Sequence, residues 1–239
     1  MSKSMHNSFD DLLENRLGEF GWWQISQYAS YAVLQFFQSM TNIVYIFFAA
    51  PREYWCDIPE VKNFTPSMDI WKTFQNISEN QKLGICEIPN VQYTSFNFSQ
   101  PLNASVLNDT RKCTDWLFDT SPSTMATTIQ SEFGLVCNDT LKVAHSQSVY
   151  MAGAFVGSVV AGPAADNFGR KLLYVMSGLL VCGSGIGLAF STNYYSFLAM
   201  QFFMGFGNVS TWISGFVLSG EITSAKFRNF AGGLFFLPY

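Results

Sequence analysis

Charged residues are missing from three long stretches of this 239-residue sequence. Residues 20–51, 143–165 and 172–220 contain no Asp, Glu, Lys or Arg. A helix of roughly 20 predominantly apolar residues is enough to cross the hydrocarbon core of a bilayer, and each stretch is at least that long. This absence argues against one or two soluble domains and predicts an all-α membrane protein.

Sequence signatures of catalysis are missing as well. The sequence has no Gly-rich phosphate loop with Lys, no Gly-x-Ser-x-Gly and no His-Glu-x-x-His, and its histidines, His6 and His145, fall on separate predicted segments. The sequence has no basic patch interleaved with aromatic residues, the pattern that would suggest nucleic-acid binding. Its N-terminus also lacks the early apolar core of a cleavable signal peptide. We therefore expect no enzyme, cofactor, metal centre or nucleic-acid partner.

Cysteine is concentrated in one polar segment, residues 51–142. An even number of cysteines there suggests two disulfides in an oxidising compartment, with three possible pairings. A zinc site is the alternative, but no pair has the close spacing that zinc sites favour. The four cysteines are Cys56, Cys86, Cys113 and Cys137, and the fifth, Cys182, lies in an uncharged run.

The same segment carries six Asn-x-Ser/Thr sequons. Such a cluster beside paired cysteines is typical of an extracellular glycosylated region. Because the segment is longer than ordinary connections, we expect a small folded cap. A seventh sequon, at Asn208, lies in an uncharged run and is not expected to be glycosylated. The candidate glycosylation sites are Asn63, Asn76, Asn97, Asn103, Asn108 and Asn138.

An extracellular cap fixes the orientation of the predicted spans. The N-terminus is then cytoplasmic, and Arg170, Lys171, Lys226 and Arg228 fall on the inner side, in agreement with the positive-inside rule. We expect a plasma-membrane protein in contact with lipid. The predicted order is an amphipathic cytoplasmic N-terminus (1–23), a first span (24–50), the cap (51–142), a second span (143–164), a cytoplasmic loop (165–171), a third and a fourth span (172–190 and 194–218), a cytoplasmic loop (219–229) and a truncated fifth span (230–239).

Polar residues interrupt the first span at helical spacing. Gln35, Gln38 and Asn42 are three and four positions apart, so they share one face of a helix. Since an unpaired amide in hydrocarbon is costly, these side chains should face protein or a water-filled cavity. Interhelical hydrogen bonding and a substrate pathway are both compatible with this pattern.

Small residues also recur at helical spacing. Gly153, Gly157 and Ala161 share one face of the second span, and Gly183 and Gly187 share a face of the third. Faces of this kind let helix backbones approach closely in a membrane. We expect these faces to pack helices together.

The segment between the second and third spans resembles a known signature. Gly162-x-x-x-Asp166-x-x-Gly169-Arg170-Lys171 is similar to the loop that major facilitator superfamily transporters carry at this place. The stretches 113–121 and 128–137, the large glycosylated loop and Gly18-Glu-Phe-Gly-Trp-Trp-Gln24 resemble organic cation, organic anion and carnitine transporters. The pair formed by Glu221 and Arg228 after the fourth span also resembles these transporters. Cation members commonly carry six cysteines in the first loop, whereas this chain has four.

The resemblance implies a twelve-helix fold in two halves, with the substrate held between them. This chain would supply four helices and the start of a fifth, so we expect a fragment. Trp212 and Phe216 match aromatic residues that line the pocket in cation transporters, where cation–π attraction favours an organic cation or a carnitine-like zwitterion. The resemblance implies a conformational latch made of Gly162, Asp166, Gly169, Arg170, Lys171, Glu221 and Arg228.

A membrane adhesion or scaffold protein is the alternative to a transporter. It would have four helices and a disulfide-bonded, glycosylated ectodomain. The cytoplasmic Gly-x-x-x-Asp-x-x-Gly-Arg-Lys segment argues against it, because an adhesion protein has no need of a conformational latch.

Overall fold

The computed structural model of the protein describes residues 22–57, 86–90, 109–118, 127–223 and 232–233. The chain divides into two compact units, one formed by Met1–Phe47 with Ala144–Tyr239 and the other by Phe48–Val143. The predicted amphipathic helix near the N-terminus and nearly all of the predicted fifth span lie outside the described residues.

Four long helices correspond to the four predicted spans. In chain order the elements are helix α1 (Trp22–Phe48), strands β1 (Tyr54–Cys56), β2 (Glu87–Pro89), β3 (Thr110–Lys112) and β4 (Trp116–Phe118), the short helix α2 (Ile129–Glu132), a 3₁₀ turn (Cys137–Asp139), and helices α3 (Leu141–Phe168), α4 (Arg170–Ala189) and α5 (Tyr194–Ile222).

Two helical segments of the described part of the chain are long and apolar enough to cross a membrane. They are Cys137–Phe168 and Arg170–Ala189, judged by length and composition. Their outer faces leave large apolar side chains such as Phe155, Val159 and Leu179 exposed. Exposed apolar faces of this kind suit contact with lipid. The spans predicted over α1 and α5 stay predictions.

Helix α5 packs against α3 through the predicted small-residue face. Gly153 and Gly157 lie directly against the backbone of α5, and a Cβ atom at Gly157 would come within 2.6 Å of the Phe206 carbonyl oxygen. Ala161 is buried on the same face, and Gly205 of α5 meets the backbone of α3 in return. The close packing expected of this glycine face is confirmed.

Helix α5 also packs against α4. The Thr211 hydroxyl donates a hydrogen bond to Ser177 Oγ at 2.9 Å. A Cβ atom at Gly187 would lie 2.6 Å from Met200 Sδ, whereas one at Gly183 would have no described neighbour within 4 Å. Only half of the glycine pair predicted on the third span therefore contributes to this interface.

The turn between α3 and α4 is shorter than the predicted loop over 165–171. Helix α3 continues through Phe168 and α4 begins at Arg170, so Gly169 alone separates them. Its φ of +89° is a conformation that glycine adopts without steric cost. Similarly, α5 extends to Ile222, so Glu221 belongs to its last turn rather than to the predicted loop over 219–229.

The second unit contains two short antiparallel strand pairs. β1 pairs with β4, and β2 pairs with β3. Two disulfides join these strands to their surroundings, with Cα–Cα distances of 5.8 Å for Cys56–Cys113 and 5.7 Å for Cys86–Cys137. Both distances fall in the normal range for disulfides. The prediction of two disulfides is confirmed, and one of the three possible pairings is selected.

Candidate functional site

An ion-pair cluster lies where α3, α4 and the end of α5 meet. Arg170, the first residue of α4, lies with Nη2 3.8 Å from Asp166 Oδ1 in the last turn of α3. Nη1 of the same guanidinium forms an ion pair with the carboxylate of Glu221. The structure therefore brings together three charged residues that the sequence placed in the candidate latch.

Each charge of this cluster occupies an unfavourable helix end. Arg170 lies at the positive N-terminal end of α4, whereas Asp166 and Glu221 lie at the negative C-terminal ends of α3 and α5. Such placements cost about 0.3–1 kcal/mol each at an exposed surface. Mutual pairing offsets these costs only while the three helix ends stay together. The cluster can thus favour one arrangement of the helices over another.

The two acidic partners of Arg170 differ in exposure. The Asp166 side chain is 75% exposed, whereas that of Glu221 is 45% exposed. Glu221 is therefore the better shielded partner, and Asp166 keeps accessible carboxylate surface for another group.

The remaining candidate latch residues contribute differently. Gly169 provides the turn, whereas Gly162 and Lys171 are exposed. A Cβ atom at Gly162 would meet no described atom within 4 Å. Arg228 lies outside the described residues.

The polar face of α1 forms a hydrogen-bonded junction with α3 and α5. Gln38 Nε2 donates to the backbone carbonyl of Asn208 at 2.6 Å. Asn42 Oδ1 accepts from the Tyr150 hydroxyl at 2.8 Å and from Asn208 Nδ2 at 3.3 Å, and Asn208 Nδ2 also donates to the Tyr150 hydroxyl oxygen at 2.7 Å. This junction links three helices through buried and half-buried polar groups.

Gln35 differs from its two polar neighbours on α1. Its side chain is only 4% exposed, and among the described residues its Nε2 has no hydrogen-bond partner. A buried polar group without a partner costs about 1–3 kcal/mol. Gln38 and Asn42 take part in interhelical hydrogen bonds, whereas the Nε2 of Gln35 pairs with no group in the described part of the chain.

Two members of the junction were missed from the sequence. The sequence patterns predict no role for Tyr150 and mark Asn208 only as a sequon. An amide inside an uncharged run is the same signal that identified the row on α1, and it could have identified Asn208. The sequence does not reveal which polar residue on another helix each of them meets.

Trp212 and Phe216 form a stacked aromatic pair on α5. Their ring centroids are 6.2 Å apart and their planes differ by 14°. They begin one helical turn after Asn208, and the Phe216 ring is partly exposed. The aromatic pair therefore lies next to the polar junction along α5.

The chain matches a known protein family. The sequence profile of the Major Facilitator Superfamily matches residues 114–239, more than half of the chain. The chain belongs to the major facilitator superfamily. Within it, the chain belongs to the family of organic cation and organic anion transporters, as the signature segment and the cysteine-rich loop suggested.

The similarity to individual transporters extends over almost the whole chain. Human organic anion transporter 3 is 30% identical over 226 residues, which is 92% of this chain and 38% of the relative. Solute carrier family 22 member 6 of Danio rerio is 28% identical over 234 residues, covering 94% of this chain and 41% of the relative. The organic cation transporter protein of Drosophila melanogaster is 26% identical over 229 residues, covering 94% and 40%.

These matches decide the class of the protein. It is a member of a family of multi-pass membrane transporters rather than of enzymes. The chain spans about two fifths of the length of these three relatives. The alternative of an adhesion or scaffold protein is no longer supported.

Proposed function

We propose that this chain supplies the first four membrane helices of a transporter that moves small organic ions across the plasma membrane by alternating access. Membership of the organic ion transporter family supports this function. The observation that carries the mechanism is the contact of Arg170 with both Asp166 and Glu221. One guanidinium thereby bridges the ends of three helices, and breaking the bridge frees those ends to separate.

Our proposal for the substrate is an organic cation or a carnitine-like zwitterion. The stacked rings of Trp212 and Phe216 support it, because a cation over an aromatic face gains about 0.5–2 kcal/mol. Relatives with both organic anion and organic cation transporter names are similar to this chain. The charge of the substrate is therefore a separate question from transport itself.

We assign Gln35 to the substrate pathway. Its buried amide donor, which has no partner among the described residues, offers a hydrogen bond to an oxygen of the substrate or to a water that accompanies it. Gln38 and Asn42, in this proposal, hold α1 against its neighbours.

Uptake measurements test the proposed function. The complete open reading frame that encodes this sequence is expressed in cells, and uptake of labelled tetraethylammonium, carnitine and hippurate is compared with that of untransfected cells. Saturable uptake of tetraethylammonium or carnitine, but not hippurate, is expected. Saturable uptake of hippurate alone would contradict the substrate proposal, and no saturable uptake of any of the three would contradict organic-ion transport.

A further inference from the structure

The C-terminal end of α5 is capped by side chains of α1. The last four carbonyl groups of a helix have no partner within the helix, and α5 ends at Ile222. The Tyr28 hydroxyl donates to the Ser219 carbonyl at 2.8 Å, and Gln24 Nε2 donates to the Ile222 carbonyl at 3.4 Å. Helix α1 thus provides donors that the end of α5 lacks.

This cap is buried. Gln24 is 1% exposed and Thr223, which follows α5, is 0% exposed. The Thr223 and Tyr28 hydroxyl oxygens lie 2.6 Å apart, and the Thr223 hydroxyl also reaches the Ser219 carbonyl at 2.9 Å. Hydrogen bonds shielded from water are electrostatically stronger than exposed ones, so the contacts hold the last turn of α5 firmly.

The same turn carries the acid of the ion-pair cluster. Glu221 lies between Ser219 and Thr223 in the sequence, and its carboxylate pairs with Arg170 of α4. Residues 219 and 223 share one face of the helix, whereas residue 221 projects from the opposite side. The last turn of α5 is therefore held by α1 on one side and by α4 on the other.

We infer that Tyr28 and Gln24 are positioning residues for the ion-pair cluster. By capping the last turn of α5, they keep Glu221 within reach of Arg170. Helix α1 also carries Gln35, which is assigned to the substrate pathway, so a shift of α1 on substrate binding is transmitted to Glu221. The transport consequence rests on the proposed function, whereas the link between Tyr28 and Glu221 does not.

A double-mutant cycle tests this link. The Tyr28→Phe change removes one hydroxyl and keeps the ring. Thermal unfolding of the purified protein in detergent is measured for this change in the wild-type and in the Glu221→Gln background. We expect Tyr28→Phe to lower Tm by about 2–4 °C in the wild-type background. In the Glu221→Gln background the fall should be half of that or less, because the ion pair between residue 221 and Arg170 is already absent and cannot be weakened further.

Tyr45→Phe is the matched control. It removes a hydroxyl that bonds to Ser146 at 2.7 Å near the other end of α1, so its effect on Tm should be equal in the two backgrounds, as for independent sites. Equal effects of Tyr28→Phe in the two backgrounds would overturn the inference. If Tyr28→Phe cannot be purified, Thr223→Val is tested in the same cycle and must show the same loss of additivity.

Uptake separates this inference from the proposed function. Per molecule at the cell surface, Tyr28→Phe should lower the maximal uptake rate about threefold or more, as expected for a coupling between sites, and should leave KM within about twofold. A merely structural role lowers the surface amount and leaves the rate per molecule unchanged. If the wild type transports nothing while the thermal cycle remains non-additive, the proposed function fails and the positioning role stands.

Discussion

Replacing Asp166 by Asn should impair transport without destabilising the protein. The carboxylate is 3.8 Å from Arg170 and largely exposed, and exposed i,i+4 ion pairs contribute only about 0.3–0.5 kcal/mol. The negative charge also lies at the unfavourable end of α3, where its removal regains about 0.3–1 kcal/mol. These two terms nearly cancel, so the free energy of unfolding should change by less than about 1 kcal/mol.

The effect on transport should be larger. A contact that biases two conformations by about 0.4–1 kcal/mol changes their ratio about two- to fivefold. We therefore expect Asp166→Asn to lower the uptake rate about two- to fivefold at nearly unchanged surface abundance. The assay is uptake of labelled tetraethylammonium or carnitine, divided by the amount of protein labelled at the cell surface with a membrane-impermeant biotin reagent.

Asp139→Asn provides a matched control for this measurement. Asp139 forms an exposed ion pair of 2.8 Å with Lys142 in the other unit, and the change keeps the Asn138-x-Thr140 sequon intact. It should alter neither uptake nor surface abundance. Unchanged uptake per surface molecule in Asp166→Asn would refute the latch, and a loss of uptake that merely follows a loss of surface protein would refute the stability reasoning.

Three further predictions concern helix packing, the polar residues of α1 and the disulfides of the second unit. Gly153→Leu should abolish surface expression, because its side chain would meet the backbone of α5, whereas Gly183→Leu should be tolerated; surface biotinylation distinguishes them. Gln35→Leu should lower uptake at unchanged or raised Tm, because it removes a buried donor without a described partner. Gln38→Leu should lower Tm by about 2–6 °C, because it breaks a buried hydrogen bond to α5. The reverse order of Tm values would contradict the proposed roles of the two glutamines. Cys113→Ser should cost about 4 kcal/mol by opening a disulfide with a sequence separation of 57, visible as intracellular retention on glycosidase digestion; normal surface maturation would contradict this estimate.

The long helices were predictable because a membrane imposes a simple rule on the sequence. Charge is excluded from roughly 20 residues at a time, so the charge-free runs located α1, α3, α4 and α5 to within a few residues at most ends. The C-terminal ends of α3 and α5 were less predictable. Asp166 and Glu221 look like loop residues in the sequence, yet both lie in the last turns of helices because Arg170 compensates their charge.

The sequence could not predict which side chains form hydrogen bonds or disulfides with one another. The row at Gln35, Gln38 and Asn42 was visible from spacing alone, but the meeting of Asn42 with Tyr150 and Asn208 depends on the register of three helices. The pairing of the cysteines was unpredictable for the same reason. An even number of cysteines predicts bridges, whereas the pairing depends on which strands lie side by side.

The capping of α5 by α1 was hidden for a similar reason. Gln24 and Tyr28 look like ordinary residues at the start of a span. Their role appears only when the antiparallel packing of α1 and α5 brings them to the carbonyl groups of Ser219 and Ile222.

Exchange across a membrane tests the central claim most directly. The protein encoded by the complete open reading frame is purified and reconstituted into proteoliposomes, and entry of labelled tetraethylammonium or carnitine is measured with and without the same unlabelled ion inside. An alternating-access transporter should show saturable entry that is faster when the ion is present inside. Entry that is linear in concentration, indifferent to the internal ion and equal to that of protein-free liposomes would contradict organic-ion transport by this protein.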